Sequence, residues 1–448
     1  MINRMDRRDF IKISGAAAIG AAAGCAPIKK DSSAGDSAQM EYRINPATGD
    51  KVSLLGFGCM RWPMIDKDGV QVIDQEAVNE MVDYALEHGV NYFDTSPAYL
   101  QGQSEKAAGI ALSRHPRDSY FIATKLSNFG DFDKAASLKM YRDSFEQLKT
   151  DYFDYYLLHN IGRSMEQFND RYVNNGLIDF VKAEREAGRI RNLGFSFHGI
   201  REMFDHFLKM HDNGEIHWDF CQIQLNYKDW THADPKRNVN ADYLYAELDK
   251  REIPMVIMEP LLGGRLANVP EGIAKQMKER EPDKSLASWA FRFCGSFPRV
   301  LCILSGMTSM DPLLDNLDTF THFKPLSDEE LDFLERMAKW MEDYPIVNCN
   351  YCNYCMPCPW GVDIPSIFRH YNDSVTEGRY PQTQEQKDYK KLKRAYLVSY
   401  DRAVETIRQA DHCIGCHDCL GHCPQGISIP RELRRISRYI ESLKQDTL

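Results

Sequence analysis

Eight of the 13 cysteines fall in two tight runs near the C-terminal end, Cys349-x2-Cys352-x2-Cys355-x2-Cys358-Pro359 and Cys413-x2-Cys416-x2-Cys419-x3-Cys423-Pro424. Thiols at this spacing constrain the chain more than any other feature. Disulfides between them would close tiny strained loops. Zinc sites draw on pairs of Cys-x2-Cys rather than quartets ending in Cys-Pro. Three closely spaced thiolates with a fourth from elsewhere suit one cubic [4Fe–4S] cluster. Two clusters are therefore expected on these eight thiols, with a single cluster, zinc or disulfides as the alternatives. Cys59, Cys221, Cys294 and Cys302 lie in or beside apolar runs and read as buried, inert thiols.

The second run has the spacing of bacterial ferredoxins. In two-cluster ferredoxins the cysteine before proline ligates the other cluster. That resemblance implies Cys349, Cys352, Cys355 and Cys423 on one cluster, and Cys413, Cys416, Cys419 and Cys358 on the other. The first run departs from the pattern by one residue before Cys358.

Upstream, from about residue 51, short apolar runs alternate with charged helical stretches. The strand candidates are Ser53–Gly58, Asn91–Asp94, Tyr120–Thr124, Phe153–Leu158, Asn192–Ser196, Phe220–Gln224, Met255–Met258 and Val300–Leu304. Helical patterns between them include Gln75–His88, Ser104–Ser113, Lys134–Leu148, Leu177–Ala187 and Ser285–Phe293. Eight βα units over roughly 270 residues match an α/β chain folded as a (β/α)8 TIM barrel, typically about 250 residues. A doubly wound sheet would need a glycine-rich turn opening a helix after its first strand. Leu55-Gly56-Phe57-Gly58-Cys59-Met60 lacks the third glycine and the helix start. The expected barrel covers 49–325. Beyond it, 326–448 reads as a mainly helical [4Fe–4S] ferredoxin-type domain, opened by a Ser327–Met341 helix with a Ser327/Glu330 capping box. A net charge of −10 argues against nucleic acid, which needs clustered Lys and Arg. No run of about 18 apolar residues is present to form a membrane span.

Residues 1–25 read as an address. Asp6-Arg7-Arg8-Asp9-Phe10-Ile11-Lys12 carries a twin arginine, and Ile13–Gly24 is uncharged, small and mildly apolar. This marks the twin-arginine route, which exports folded proteins. Loading clusters before export fits it. Ala22-Ala23-Gly24-Cys25 resembles a lipoprotein box, with simple cleavage nearby as the alternative. Residues 26–48 are rich in Ser, Ala, Asp and Lys and read as a tether. The expected location is periplasmic, or at a membrane surface through a lipid on Cys25. An alternative is a cytoplasmic reductase whose arginine pair is fortuitous.

Polar residues end successive strands: Asp94 and Tyr99 the second, Lys125 the third, His159 the fourth. That end of a barrel carries active sites. Asp, Tyr, Lys and His together suit carbonyl reduction. Hydride arriving at a carbonyl carbon leaves an oxyanion that needs a proton. Tyrosine, with an ordinary pKa near ~10, is too weak an acid until an ammonium lies beside it. Tyr99 is thus the acid, Lys125 the tuner, Asp94 the orienter of Lys125, and His159 the partner of the carbonyl oxygen.

With these residues in hand, the chain resembles the aldo-keto reductase family over about 51–325. Phe93-Asp94-Thr95 with Tyr99, Gly102-Gln103-Ser104-Glu105, Thr124-Lys125, Leu158-His159, Gly194-Phe195-Ser196, Gln222-x2-Leu225-Asn226 and Gly306-Met307-Thr308 with Asn316 follow in family order. With its tail, the chain resembles the ferredoxin-fused branch, through Gly58-Cys59-Met60-Arg61, Phe195-Ser196-Phe197-His198 and Met258-Glu259-Pro260-Leu261. The resemblance implies NAD(P) held near Gly58, Cys59, Met60, Ser196, Gln222, Gly306 and Asn316. Phe197 stands where an asparagine commonly holds the nicotinamide carboxamide, and Met258 where an aromatic often stacks on the ring. Ser305–Asn316 has no Lys or Arg for a 2′-phosphate. The expected substrate is a small carbonyl or alcohol, with a redox protein or quinone-linked donor as electron partner. The alternative is a barrel that no longer catalyses and serves as an electron-transfer or binding module.

Overall fold

A computed structural model of the chain describes residues 39–234 and 238–448. The twin-arginine stretch, Cys25 and most of the expected tether lie outside the described residues. The described chain forms two compact units. One comprises the chain up to Pro260 together with Ser288–Asp332, and the other Leu261–Ala287 with Phe333–Leu448. The division differs from the linear one expected from sequence, since Leu261–Ala287 groups with the C-terminal unit. Within that unit Arg265 donates to Asn348 at 3.2 Å and Arg280 lies 4.3 Å from the Phe333 ring centre.

The first unit holds a closed barrel of eight parallel strands. Before it come β1 (Tyr42–Ile44) and β2 (Lys51–Ser53), an antiparallel pair. β1 therefore lies inside the stretch read as tether. The low apolar content there hid it, because β1 buries little of its own. Val52 joins the barrel's interior cluster, and Asn45 Nδ2 donates to Tyr155 Oη at 3.1 Å and Asn192 Oδ1 at 3.2 Å, near the strand starts.

The barrel strands are β3 (Leu55–Gly58), β6 (Tyr92–Asp94), β7 (Phe121–Leu126), β8 (Phe153–Ile161), β9 (Ile190–Phe197), β10 (Phe220–Gln224), β11 (Met255–Met258) and β12 (Val300–Ser305). Each falls on one of the eight apolar runs. Strands buried on both faces read as continuous apolar stretches, which is why the runs were visible. Tyr92, Tyr155, Leu157, Phe220, Val256 and Leu301 fill the interior. Between β3 and β6, a second hairpin of β4 (Met64–Lys67) and β5 (Val70–Ile73) was not foreseen. Its residues are largely exposed, and the Asp68-Gly69 turn between Met64-Ile65 and Val70-Gln71-Val72 is the local signal that marks it. Helices cover the outside at the expected places. Gln75–Glu87 is capped by Asp74, whose carboxylate accepts from Ala77 N at 3.1 Å, and Lys134–Leu148 by Asp133, which accepts from Ala136 N at 3.0 Å.

Farther along, Ser327 and Glu330 form the expected reciprocal capping box, at 2.7 and 3.3 Å, on the helix Asp328–Met341. In the second unit, helices Ile364–Thr376, Tyr389–Ala403 and Ile429–Gln445 pack around Ile367, Phe368, Tyr371, Tyr396, Ile436 and Ile440. Two of these helices begin alike. Cys358-Pro359-Trp360-Gly361 and Cys423-Pro424-Gln425-Gly426 are matching turns, closed by Gly361 N to Cys358 O at 2.9 Å and Gly426 N to Cys423 O at 3.0 Å. Both glycines have positive φ, +77° and +58°, which a side chain would strain. Ile364-Pro365 and Ile429-Pro430 then open the helices, with proline in the first turn in each case.

Candidate active site and cysteine centres

Register carries the four expected barrel residues to one place. Asp94 pairs with Ala123 across β6 and β7, which sets Lys125 just beyond it, and β7 pairs Lys125 with Leu157, two residues before His159. Lys125 Nζ donates to Asp94 Oδ1 at 2.6 Å and to Thr95 O at 2.7 Å, with both side chains almost fully buried. Burial pushes the Asp94 carboxyl up and the Lys125 ammonium down, and their contact opposes both shifts. Tyr99 stands on the short helix after β6, with Lys125 Nζ 4.8 Å from its ring centre. Its ring meets that of His159 edge-on at 5.8 Å. Ser127 Oγ lies 2.5 Å and Ser96 Oγ 3.3 Å from His159 Nδ1. A hydroxyl donating to Nδ1 leaves the proton of the neutral ring on Nε2. Burial first, then the cations Lys125 and Arg171 and the ring of His198, hold His159 well below the usual imidazole range.

Four buried polar atoms near these residues have no hydrogen-bond partner: Asp94 Oδ2, Asn160 Oδ1, His198 Nδ1 and Gln222 Oε1. Asp94 ends β6, Asn160 is next to last in β8, His198 follows β9, and Gln222 lies in the middle of β10. Buried polar groups are normally satisfied, so such a cluster fits a polar ligand at the mouth. Gln222 lies against the Asp94 carboxylate, which its amide stabilises. Ser196 is committed within the protein, its Oγ accepting from Asn160 N at 2.8 Å. Phe197 packs on Phe204 at 5.0 Å and brings nothing polar to the site. The Cys59 thiol is fully buried and bonds Phe57 O at 3.6 Å, and Cys59 O accepts from Ser104 Oγ at 2.8 Å. Asn316 Nδ2 donates to Ser305 Oγ at 2.9 Å. Gly58 lies against the Ser305 backbone, and a Cβ on Gly306 would meet Arg61 Cδ at 3.0 Å. Arg61, next to Met60, thus packs on the segment that carries no cation of its own.

Sequence reasoning missed two further groups. Arg171 is buried and bonds the His159 and Asn160 carbonyls at 2.7 and 3.1 Å. Glu105 is buried behind Lys125, accepting from Thr124 Oγ1 at 2.5 Å and Ser144 Oγ at 3.1 Å, and burial pushes its carboxyl up to about 7. Neither carries a strand-end signal, because both lie on helical segments. Phe129 and Trp62 line this end. Phe129 lies 4.9 Å from the His159 ring, and Trp62 lies 4.9 Å from Phe57.

In the second unit the thiols fall into two groups. Burial pushes the Cys419 thiol up to about 11, and Cys413, Cys416 and Cys358 beside it act the same way. These four line a cavity of about 350 Å³ with Trp360, Ile414 and Leu433, and Cys355 of the other group reaches its wall. Burial likewise raises Cys349 to about 11 and Cys355 to about 12, with Cys423 adjoining both. Cys349 Sγ accepts from Tyr351 N and Cys423 Sγ from Ile427 N, each at 3.4 Å. Cys352 is half-buried within the same first run. The thiol before each proline therefore meets the other run. A soft, all-thiolate donor set around a cavity of this size fits an iron–sulfur cluster.

A buried Asp–Lys pair beside a Tyr and a His, at the C-terminal mouth of a parallel barrel, defines an oxidoreductase site. The chain belongs to the aldo/keto reductase family, which it matches over residues 54–339, and residues 348–428 match a 4Fe-4S dicluster domain. It is 24% identical to the uncharacterized oxidoreductase YqkF of Bacillus subtilis over 64% of this chain and 93% of that one. It is 25% identical to L-galactose dehydrogenase of Arabidopsis thaliana, over 64% and 90%. Among solved structures, the holo form of aldo-keto reductase AKR11C1 from Bacillus halodurans aligns with TM-score 0.53 and 24% identity, covering 67% of this chain and 96% of that one. The aldo/keto reductase of Klebsiella pneumoniae in complex with NADP and acetate aligns with TM-score 0.51 and 22% identity, over 66% and 94%. These likenesses agree on the barrel fold.

Proposed function

We propose that the chain interconverts a small carbonyl compound and an alcohol, with Tyr99 as proton donor, and relays electrons through two [4Fe–4S] clusters. The observation that carries the reading is the Lys125 ammonium, held 2.6 Å from Asp94 and facing the Tyr99 ring at 4.8 Å. In the reducing direction Tyr99 gives its phenolic proton to the carbonyl oxygen. Lys125 stabilises the phenolate left behind, and Asp94 keeps Lys125 in place. His159 donates a hydrogen bond to the same oxygen from Nε2. A nicotinamide cofactor would supply hydride, and the clusters, which pass single electrons, would exchange with that two-electron step only through a group able to split the pair. For the nicotinamide, Gln222 and Asn160 offer unpartnered oxygens, and Gly58, Met60, Gly306 and Arg61 adjoin the segment expected to take its phosphates. For the clusters, Cys349, Cys352, Cys355 and Cys423 would hold one, and Cys358, Cys413, Cys416 and Cys419 the other. Substrate is a small aldehyde, ketone or alcohol, and the electron partner a redox protein or quinone-linked donor.

Export by the twin-arginine route, with a lipid on Cys25, is part of this reading. Arg7-Arg8 and the need to load clusters before transit support it. Cell fractionation with N-terminal sequencing tests it: cytosolic protein retaining Met1 sinks the export claim.

A second reading keeps the barrel as an electron-transfer or binding module, because Phe197 is buried where a polar nicotinamide contact would be needed. Anaerobically purified chain separates the two. Iron and sulfide are counted, and spectra are recorded before and after NADH or NADPH. About eight irons per chain with cluster bleaching joins barrel and clusters in one electron path. Eight irons without bleaching moves the donor to a protein or quinone.

A further inference from the structure

Arg171 is 1% exposed, yet all four of its hydrogen bonds end on uncharged groups: Asn128 Oδ1 at 3.2 Å, Asn160 O at 3.1 Å, His159 O at 2.7 Å and Tyr172 Oη at 2.6 Å. Burying a cation without a carboxylate is costly, so its retention calls for a reason. The backbone supplies one. Between Leu158 and Ile161 the pairing of β8 with β9 slips, and Asn160 takes a left-handed conformation, φ +49°. This β-bulge lies at the active-site end of the strand and takes the His159 and Asn160 carbonyls out of the regular ladder. One guanidinium satisfies both. It reaches them from a π-helical turn, Asn169–Val173, a form that recurs at functional sites. Phe129 touches both groups, its ring centre 4.8 Å from the Arg171 guanidinium and 4.9 Å from the His159 ring, which is tilted 54° to it.

We propose that Arg171 is a positioning residue for carbonyl reduction: it locks the His159–Asn160 bulge so that His159 presents Nε2 to the substrate oxygen in one orientation. The inference rests on the carbonyl-reductase reading above. The groups facing His159 are Lys125 from β7, Ser127 just after it, Tyr99 and Ser96 after β6, His198 after β9, Arg171 and the Phe129 ring. Lys125 and Arg171 are the two cations among them. Burial and these cations keep the ring uncharged at neutral pH, so Tyr99 alone delivers the proton. Without Arg171 the Asn160 carbonyl loses its side-chain donor and His159 O keeps only the Tyr172 hydroxyl at 3.4 Å, the ring gains freedom, and protonation of His159 becomes easier.

The test uses the full chain, purified anaerobically, as wild type, Arg171→Ala and Arg171→Lys, assayed with NADPH or NADH against a panel of aromatic and aliphatic aldehydes. Arg171→Ala is expected to lose at least tenfold in kcat/KM and to acquire an acid limb in its pH profile that the wild type lacks. Added guanidinium ion restores part of the loss. Arg171→Lys keeps the charge but not the planar fork, and stays several-fold impaired without the acid limb. Either variant matching wild-type kcat/KM and pH profile overturns the proposal. If Arg171→Ala does not fold, Arg171→Lys decides alone. Titration of labelled histidines by NMR, with His159 assigned through His159→Gln, reads the ring without turnover. A His159 signal unmoved in the folded variants overturns the positioning role. A wild type inactive on every aldehyde rejects the reductase reading instead, and the histidine titration still decides what Arg171 does to His159.

Discussion

The barrel mouth and the cysteine-bearing unit gather their reactive groups by opposite routes. At the mouth, Asp94, Lys125 and His159 are each about thirty residues apart in the chain, and parallel register sets them side by side. The cysteines are neighbours in sequence, and spacing alone almost suffices. The exception is the thiol before each proline, which crosses to the other run. The two places also differ in what holds them. The polar residues of the mouth are tied mostly to one another by hydrogen bonds, whereas the thiols rest on backbone turns and helix starts and would be drawn together by iron. Chemistry built on register should thus survive loss of any one partner as a fold, while chemistry built on spacing should lose its centre outright.

The sharpest break of that contrast is in the crossing thiols. Cys358→Ala is expected to destroy the cluster that Cys413→Ala destroys, costing up to about four irons per chain. Iron counts with electron paramagnetic resonance on both variants check this. Loss of the cluster held by Cys349 instead would show that each run is self-contained. Next in size, Tyr99→Phe should lower kcat by about 10²–10⁴-fold with iron content unchanged. A variant as active as wild type would favour the non-catalytic barrel.

Glu105 sharpens the same contrast through stability. Burial raises its carboxyl from 4.5 to about 7. Between those values the folded chain holds a proton that the unfolded chain has released, so stability falls as pH rises through this window. The loss is roughly 3 kcal/mol at 1.36 kcal/mol per unit. Glu105→Gln keeps the Thr124 and Ser144 contacts and should remove that part of the slope. Denaturant unfolding of both proteins across pH 4.5 to 7 measures it. The smallest effect expected is at the first cysteine group. Arg265 and Arg369 face Cys349, and the Arg369 guanidinium lies 4.2 Å from the Tyr351 ring centre. Arg265→Leu should lower one cluster midpoint and leave the other, by less than the ~59 mV of a tenfold one-electron change. Potentiometric titration that moves both midpoints, or neither, removes Arg265 from that site.

Much of this was legible in the chain. Eight apolar runs became eight barrel strands because buried parallel strands are apolar on both faces. The meeting of Asp94, Lys125 and His159 was readable because all three stand at the ends of neighbouring barrel strands. The hairpins β1–β2 and β4–β5 were not, since strands of three or four half-exposed residues give too short a trace to stand out. Arg171 and Glu105 escaped for another reason. A charged residue on a helix reads as a solvated face, and only packing reveals that these two are buried.

Local rules thus settled which barrel strands and covering helices form and which residues end the strands, because periodicity, spacing and capping act over a few residues. The bulge at Asn160, the guanidinium beneath it, the meeting of Arg61 with Gly306 and the grouping of Leu261–Ala287 with the C-terminal unit needed the folded chain. They depend on contacts between segments far apart in sequence, where burial and unsatisfied backbone groups, rather than any residue's own preference, choose the partner.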